Sequence, residues 1–403
     1  MVFATKAFWV FLPVVLLLYH ASAGRTRKYA VLLAASWLFY AWLSPQYLWV
    51  IVALTAVDYI AGVRIEDAPT DRAKRRWLAL SIAANLGLLA AFKYLGFAYD
   101  NAASLTRLCG LAVADRTWDI LLPLGISFHT FQGISYTVDV YRGHIRAVRR
   151  PLDYALFVAF FPQLAAGPIV RAVEFLPQMT TPPPVTAQRA ADGLHFLLLG
   201  LFKKLVIADH LDAVLVSPVF ADPGAFGPAA HRWACLAWAA QLYCDFSGYS
   251  DIAVGLAKWF GFDLPRNFAF PYLATSVPDF WRRWHLSLST WLRDYLYFPL
   301  GGSRGGDGRA CANLLLVFVG VRAMLTMIFY EDAEELAHMG YSATHQTRFD
   351  RTRAKRQLPV LAAVPVPLES GVRLKEGREE AASLADESGE HATTARPAAE
   401  DVA

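Results

Sequence analysis

The chain has 403 residues, of which 56% are hydrophobic and only 18% charged, with a formal net charge of +4. Mean hydropathy is +0.32, the balance of a multispanning membrane protein rather than a soluble enzyme, and nothing in it points to a nucleic acid partner. The average hides two materials: residues 331–403 hold 9 Lys and Arg against 14 Asp and Glu, while all 12 Trp lie before residue 292.

In chain order, residues 7–23 form an apolar run ending in Ala21-Ser22-Ala23. It reads as a cleaved secretory signal or as a retained first span, and Pro13 and His20 inside it favour the retained span. Spans are predicted next at 29–43, 47–63, 77–97 and 119–141. The basic stretches between them, with Arg25, Arg27 and Lys28, then Arg64 to Arg76, then Arg142 to Arg150, are expected on the cytoplasmic side. That places the N-terminus outside. Further spans are predicted at 154–170, 193–219, 233–260 and 312–330, broken by the Pro-rich loops at 180–185 and 222–228. Residues 1–330 thus read as one membrane domain, and 331–403, without periodicity, as a polar, disordered tail.

Several apolar runs carry charge. Lys203, Lys204, Asp209, Asp245 and Asp251 lie where an unpaired charge costs roughly 2.5–3.5 kcal/mol on insertion scales, so they should face protein or a water-filled cavity. Asp245 and Tyr249 stand one turn apart on one face and Asp251 does not, which makes the two carboxylates a poor acid/base dyad. They are read as a structural polar network. His129, beside Ser127, Thr130 and Gln132, is likewise read as hydrogen-bonded structure. The four cysteines, Cys109, Cys235, Cys244 and Cys311, show no C-x-x-C spacing. Neither a metal site nor a disulfide framework is indicated.

The most informative stretch is PDFWRRWHLSLSTWLRDYLYFPLGGSR, residues 278–304. At 100° per residue, Trp281, Trp284, Leu288, Trp291, Leu292 and Tyr295 fall on one arc and Arg282, Arg283, Thr290 and Arg293 on the other, with His285 at the seam. A single amphipathic helix ended by Gly301 and Gly302 is expected. One reading lays it along a membrane surface. The other makes His285 part of a reaction centre.

WRRWHLSLSTWLRDYLYFPLGG resembles the signature of the membrane-bound O-acyltransferase family, in particular its bacterial alginate O-acetyltransferase branch. The resemblance extends through 122–143, 160–171, 200–209 and 243–262 and stops at about residue 318. It implies an all-α fold, a polytopic helical bundle in the bacterial inner membrane, with a centre reachable from both sides. By the same resemblance His285 is catalytic, with Trp281, Arg282, Arg283, Trp284, Ser287 and Arg293 lining the site. Acetyl-CoA is the implied donor with no bound cofactor, an exported polysaccharide the acceptor, and membrane lipids and soluble periplasmic acetyltransferases the partners. Related members move D-alanyl groups onto teichoic acid or acetyl onto peptidoglycan.

One departure bears on activity. The family places a second, principal histidine downstream in a Trp-His-Gly setting, and neither His338 nor His345 has Trp or Gly beside it. A frameshift or truncation of the gene near residue 319 is the expected cause, and a degenerate, non-catalytic member is the competing reading.

Overall fold

The computed structural model describes Phe3 and residues 5–43, 45–108, 125–164 and 167–319. The tail 331–403, with His338 and His345, lies outside them, as do Cys109, residues 119–124 and 320–330 of two expected spans, and Arg322. All regular structure among the described residues is helical.

Helix α1 (Lys6–Ala21) opens on Thr5, whose hydroxyl accepts from the Phe8 N–H at 3.4 Å, the usual way a first-turn donor is satisfied. It buries Phe8, Phe11, Leu12, Val15 and Tyr19, and the Tyr19 hydroxyl donates to the Phe260 carbonyl at 2.8 Å. The segment is an integral part of the core, as a retained helix is. Helices α2 (Arg25–Leu43) and α3 (Leu48–Asp67) follow, joined through the 3-10 turn Pro45–Tyr47. The expected basic loop at 64–76 is a correction: α3 runs to Asp67 and α4 (Asp71–Leu108) begins four residues later. Its arginines therefore sit in helix ends, and α4, at about 57 Å, exceeds the roughly 30 Å hydrocarbon core.

Helix α5 (Ile126–Arg142) lies at the centre. It is buried nearly all round although Ser127, His129, Thr130, Gln132, Ser135, Thr137 and Asp139 belong to it. Gly143, at φ 75°, closes it in the left-handed conformation, its N–H returning to the Asp139 and Val140 carbonyls. The span expected at 154–170 is overturned. Helix α6 (Pro151–Ala159) stops after nine residues, α7 (Phe161–Leu164) is a single turn, and residues 167–170 are irregular. Pro162 and Pro168 have no N–H to continue a helix.

Helix α8 (Ala172–Thr180) leads to α9 (Ala187–Leu201), which continues through a π-helical stretch Phe202–Ala208, α10 (Asp209–Leu211), a second π-helical stretch Asp212–Val216 and α11 (Ser217–Ala221). Against it packs α12 (Pro228–Trp259). Glycines make this contact possible. A Cβ on Gly255 would stand 2.6 Å from the Gly193 carbonyl oxygen, and one on Gly248 2.8 Å from that of Gly200. Two glycine pairs seven residues apart thus bring the backbones together, a packing device of membrane helices. Next come α13 (Val277–Trp281) and α14 (Leu286–Leu292), then a π-helical stretch Arg293–Tyr297, and residues 307–319 are again helical.

An aromatic cluster joins the halves, with Phe175 stacked on Phe262 at 4.9 Å and Phe160 and Phe161 both against Phe260. Leu17, Trp49 and Leu236 are among many large apolar side chains left exposed, as on a surface that faces lipid. By length and composition one described helical stretch, Pro45–Asp67, is apolar enough to cross a membrane, and Lys6–Ala21 is a shorter apolar helix.

Candidate active site

The stretch 278–304 is not one amphipathic helix. Ser276 caps α13, its hydroxyl accepting from the Asp279 N–H at 3.3 Å, and the helix lasts five residues. A turn at Arg282 to Trp284 delivers His285 at φ 42°, a left-handed conformation that is uncommon without glycine and several-fold enriched in His, Asn and Asp. From there α14 starts afresh. The break is held from a distance: the Ala269 N–H donates to the Arg283 carbonyl at 3.0 Å and the Leu286 N–H to the Asn267 carbonyl at 2.8 Å. The segment 267–269 thus clamps both sides of His285.

Asn267 also acts through its side chain. Its Oδ1 accepts from Ser287 Oγ at 2.6 Å, its Nδ2 donates to Ser250 Oγ on α12 at 3.0 Å, and Ser287 Oγ accepts from the Ile169 N–H at 2.9 Å. All three side chains are buried. One hydrogen-bonded chain therefore ties α12, α14 and the irregular 167–170 segment around His285. The imidazole is 1% exposed, with Phe246 edge-on at 4.7 Å and Phe268 at 6.4 Å. Neither ring nitrogen has a hydrogen-bond partner among the described residues. A polar ring walled by aromatics with both nitrogens free can meet a reacting group, and it is an exception among buried polar groups.

Of the other residues expected at the site, Trp284 is buried beside His285, stacked on Phe280 at 5.4 Å, and Ser287 belongs to the chain just described. Trp281 is half-buried against Phe318, and Arg282 is exposed. Arg283 is tethered to Asp279 at 3.0 Å, a bond that holds the Asp279 carboxyl below the usual carboxylate range. Arg293 is not at the site. It lies two helical turns on, exposed and turned toward Asp294 at 2.7 Å.

Asp245 and Tyr249 lie next to Phe246 and Ser250 on α12 and are gathered around Lys204, which pairs with Asp245 and, at 2.9 Å, with Asp209, its ammonium 5.1 Å from the Tyr249 ring centroid. Asp251 pairs separately with Lys203 at 2.6 Å. His129 is fully buried; neither ring nitrogen makes a full hydrogen bond among the described residues, with the Val158 backbone within polar reach. Asn267, Ser250 and the Ile169 backbone escaped the sequence reading because each matters only through a partner far away in the chain.

Beyond α14 a cavity of about 460 Å³ is lined by Asp139, Arg142, His144, Arg171, Asp294 and Tyr295, with Val173, Phe298 and Pro299. Arg171 pairs with Asp294 at 2.7 Å, and the Tyr295 hydroxyl donates to Asp139 at 2.7 Å. Arg171 keeps one buried Nη2 without a partner among the described residues. From Ser287 to Asp294 is two helical turns, roughly 10 Å.

Residues 144–321 match the model of the membrane-bound O-acyltransferase family. The chain is also 43% identical over 328 residues to the probable alginate O-acetylase AlgI of Pseudomonas aeruginosa, covering 79% of this chain and 61% of the relative. Over residues 144–321 the chain thus matches the membrane-bound O-acyltransferase family. The corresponding protein of Azotobacter vinelandii is 43% identical over 324 residues, with 79% of this chain and 63% of the relative covered. The peptidoglycan O-acetyltransferase of Helicobacter pylori is 38% identical over 322 residues, with 72% and 58% covered. This chain therefore spans less than two thirds of the length of these relatives. His285 and the Asn267 chain both lie inside the region that matches the family model.

The hydrogen-bonded chain makes a stability prediction. Asn267→Ala removes a partner from both Ser287 and Ser250 in a buried site, and orphaned polar groups cost about 1–3 kcal/mol each. Thermal unfolding in detergent should show a clear loss of stability. A midpoint equal to that of the unaltered chain would mean that Asn267 does not hold the loop.

Proposed function

We propose that this chain is a multi-pass protein of the bacterial inner membrane that moves acetyl from acetyl-CoA toward hydroxyl groups of an exported polysaccharide such as alginate. The carrying observation is His285: buried, held in a left-handed turn by distant backbone bonds, with both ring nitrogens unpartnered among the described residues. The names of the alginate O-acetylase relatives support the reaction and the acceptor class.

In this reading a ring nitrogen of His285 takes the proton of the acceptor hydroxyl as its oxygen attacks the thioester carbonyl. The new C–O bond forms, the C–S bond breaks, and the proton passes to the departing thiolate, so that atoms and charge balance. Histidine suits this role near neutral pH. The cavity beside Arg142 and Arg171 offers cations to the phosphates of a donor arriving on the basic side of the protein. Arg282, at the rim, serves positioning rather than the chemical step. Soluble periplasmic acetyltransferases would complete delivery to the polymer. Inside-out vesicles containing the chain and given acetyl-CoA labelled in its acetyl group test the donor: label should reach the acceptor only when the donor is supplied on the cytoplasmic face.

A second reading has its own observation. Residues 286–403 contain no His flanked by Trp or Gly, which favours a non-catalytic member. A peptidoglycan acceptor is a further variant, supported by the Helicobacter pylori relative.

The orientation is testable by itself. Because the Lys and Arg residues at 24–28, 64–76 and 142–153 should lie in the cytoplasm, single cysteines at Thr70 and Val148 should resist an impermeant thiol reagent added to intact cells. Labelling at either would reverse the arrangement.

A further inference from the structure

Three helices meet at Gly133, and two buried acceptor atoms lie beside it without a donor among the described residues. Asp58, within α3, is fully buried. Its Oδ1 accepts from Ser81 Oγ at 2.6 Å and from Asn85 Nδ2 at 2.8 Å, both on α4. The other hydrogen of the Asn85 amide goes to the Ser81 carbonyl at 3.0 Å, so two acceptors fix which end of the amide is nitrogen. That leaves Asp58 Oδ2 and Asn85 Oδ1, both buried and neither with a donor among the described residues. Both point at α5. A Cβ added to Gly133 would overlap Asp58 Oδ2 and would stand 3.5 Å from Asn85 Oδ1.

Two such acceptors repel unless a hydrogen lies between them. The contact already made, amide N–H to carboxyl oxygen, is one half of the cyclic pair that a carboxylic acid forms with a primary amide; the other half is acid O–H to amide oxygen. Nothing larger is called for. Oδ2 is packed on the Gly133 backbone, and among the described residues no Lys, Arg or His pairs with Asp58. Of the nearby hydroxyls, Ser81 donates to Oδ1 and Thr137 Oγ1 lies 3.2 Å from the Gly133 and Ile134 carbonyls, while the buried Tyr154 hydroxyl makes no hydrogen bond to Oδ2 or to any other described residue. The ionisable groups that feel Asp58 from the helices packed on α3 are Tyr136 of α5 and Tyr154 of α6. Neither is a cation.

We infer that Asp58 and Asn85 form a proton-binding site within the membrane domain, the proton residing on Asp58 Oδ2 and donated to Asn85 Oδ1. The pair is then neutral and fully hydrogen-bonded, which is how a carboxyl is accommodated inside a helix packed at membrane depth. Gly133 is the residue that makes room for it. The inference does not depend on the acyltransferase reading, since it concerns the Asp58 and Asn85 side chains and its test measures no acetyl transfer.

The test uses the full chain in lipid nanodiscs at neutral pH. Infrared spectroscopy should show a protonated carboxylic acid C=O band that shifts on deuteration and on 13C labelling of aspartate. Asp58→Asn should abolish that band while leaving the thermal midpoint unchanged, because an amide at position 58 donates to Asn85 Oδ1 as the acid does. Gly133→Ala should shift or remove the same band, by pushing the carboxyl off its seat, and it serves if the first variant does not fold. Absence of a protonated-carboxyl band at neutral pH, as would follow from an ionised Asp58 bridged by water, overturns the inference. So does a band indifferent to the variant that folds.

Discussion

Acetyl transfer is expected to fall by ~10² to 10⁴-fold when His285 is replaced, the usual contribution of a positioned general base. The assay needs a host protein that is active, so the substitution is best made in a chimera whose residues beyond 319 are exchanged for the corresponding part of the Pseudomonas aeruginosa relative. Two variants separate chemistry from backbone. At φ 42° histidine and alanine both bear the Cβ cost of the left-handed region, on the order of 1–2 kcal/mol, but alanine also removes the ring packed against Phe246 and Phe268 and the preference for that region that histidine has. Asparagine tolerates the left-handed region yet cannot act as the base. His285→Asn should therefore match the unaltered chimera in membrane abundance and thermal stability and lose acetyl transfer as fully as His285→Ala. If it keeps full activity, the buried imidazole is structural packing between Phe246 and Phe268 and the reaction centre lies elsewhere.

The second large effect concerns the rest of the chain. The family resemblance assigns the principal catalytic role to a downstream histidine in an apolar Trp-His-Gly setting, and His338 and His345 lie in a segment rich in Asp, Glu, Lys and Arg, where each central charge adds a few kcal/mol to insertion. Proximity and remaining donors can still give some rate. In a strain lacking its own acetyltransferase, the chimera is expected to restore polymer acetylation at least ~10²-fold better than the 403-residue chain with the same partners. Acetyl ester on the exported polymer is the readout. Equal restoration would mean that residues 1–319, which hold His285, suffice for transfer without the downstream histidine, and His129, buried in α5, would be the next position to mutate.

Most of the helices were legible because each carries its own long apolar run. Expected spans at 7–23, 29–43, 47–63 and 233–260 correspond to α1, α2, α3 and α12 to within a few residues. The run at 154–170 misled because apolarity was taken for continuity: Pro162 and Pro168 end helices whatever the hydropathy around them. The glycine pairs of α9 and α12 were visible as letters only, since Gly193 and Gly255 acquire meaning when their backbones touch.

The sequence by itself determined the membrane character of the chain, the identity of His285 as the residue to watch, and the family resemblance, because composition and a long Trp-rich signature are properties of local order in the chain. Only the tertiary structure decided that the signature is a broken helix. A wheel drawn through 278–304 assumes one continuous set of backbone bonds, whereas Ala269, Asn267 and Ile169 supply bonds from outside the window. The same holds for Asp294, whose carboxylate pairs with Arg171, 123 residues away in the chain. It holds also for Asp58 and Asn85, 27 residues apart in sequence and hydrogen-bonded in space. Polar groups buried in a membrane domain must find partners, and those partners come from whichever helix the packing brings near, which periodicity along one helix does not encode.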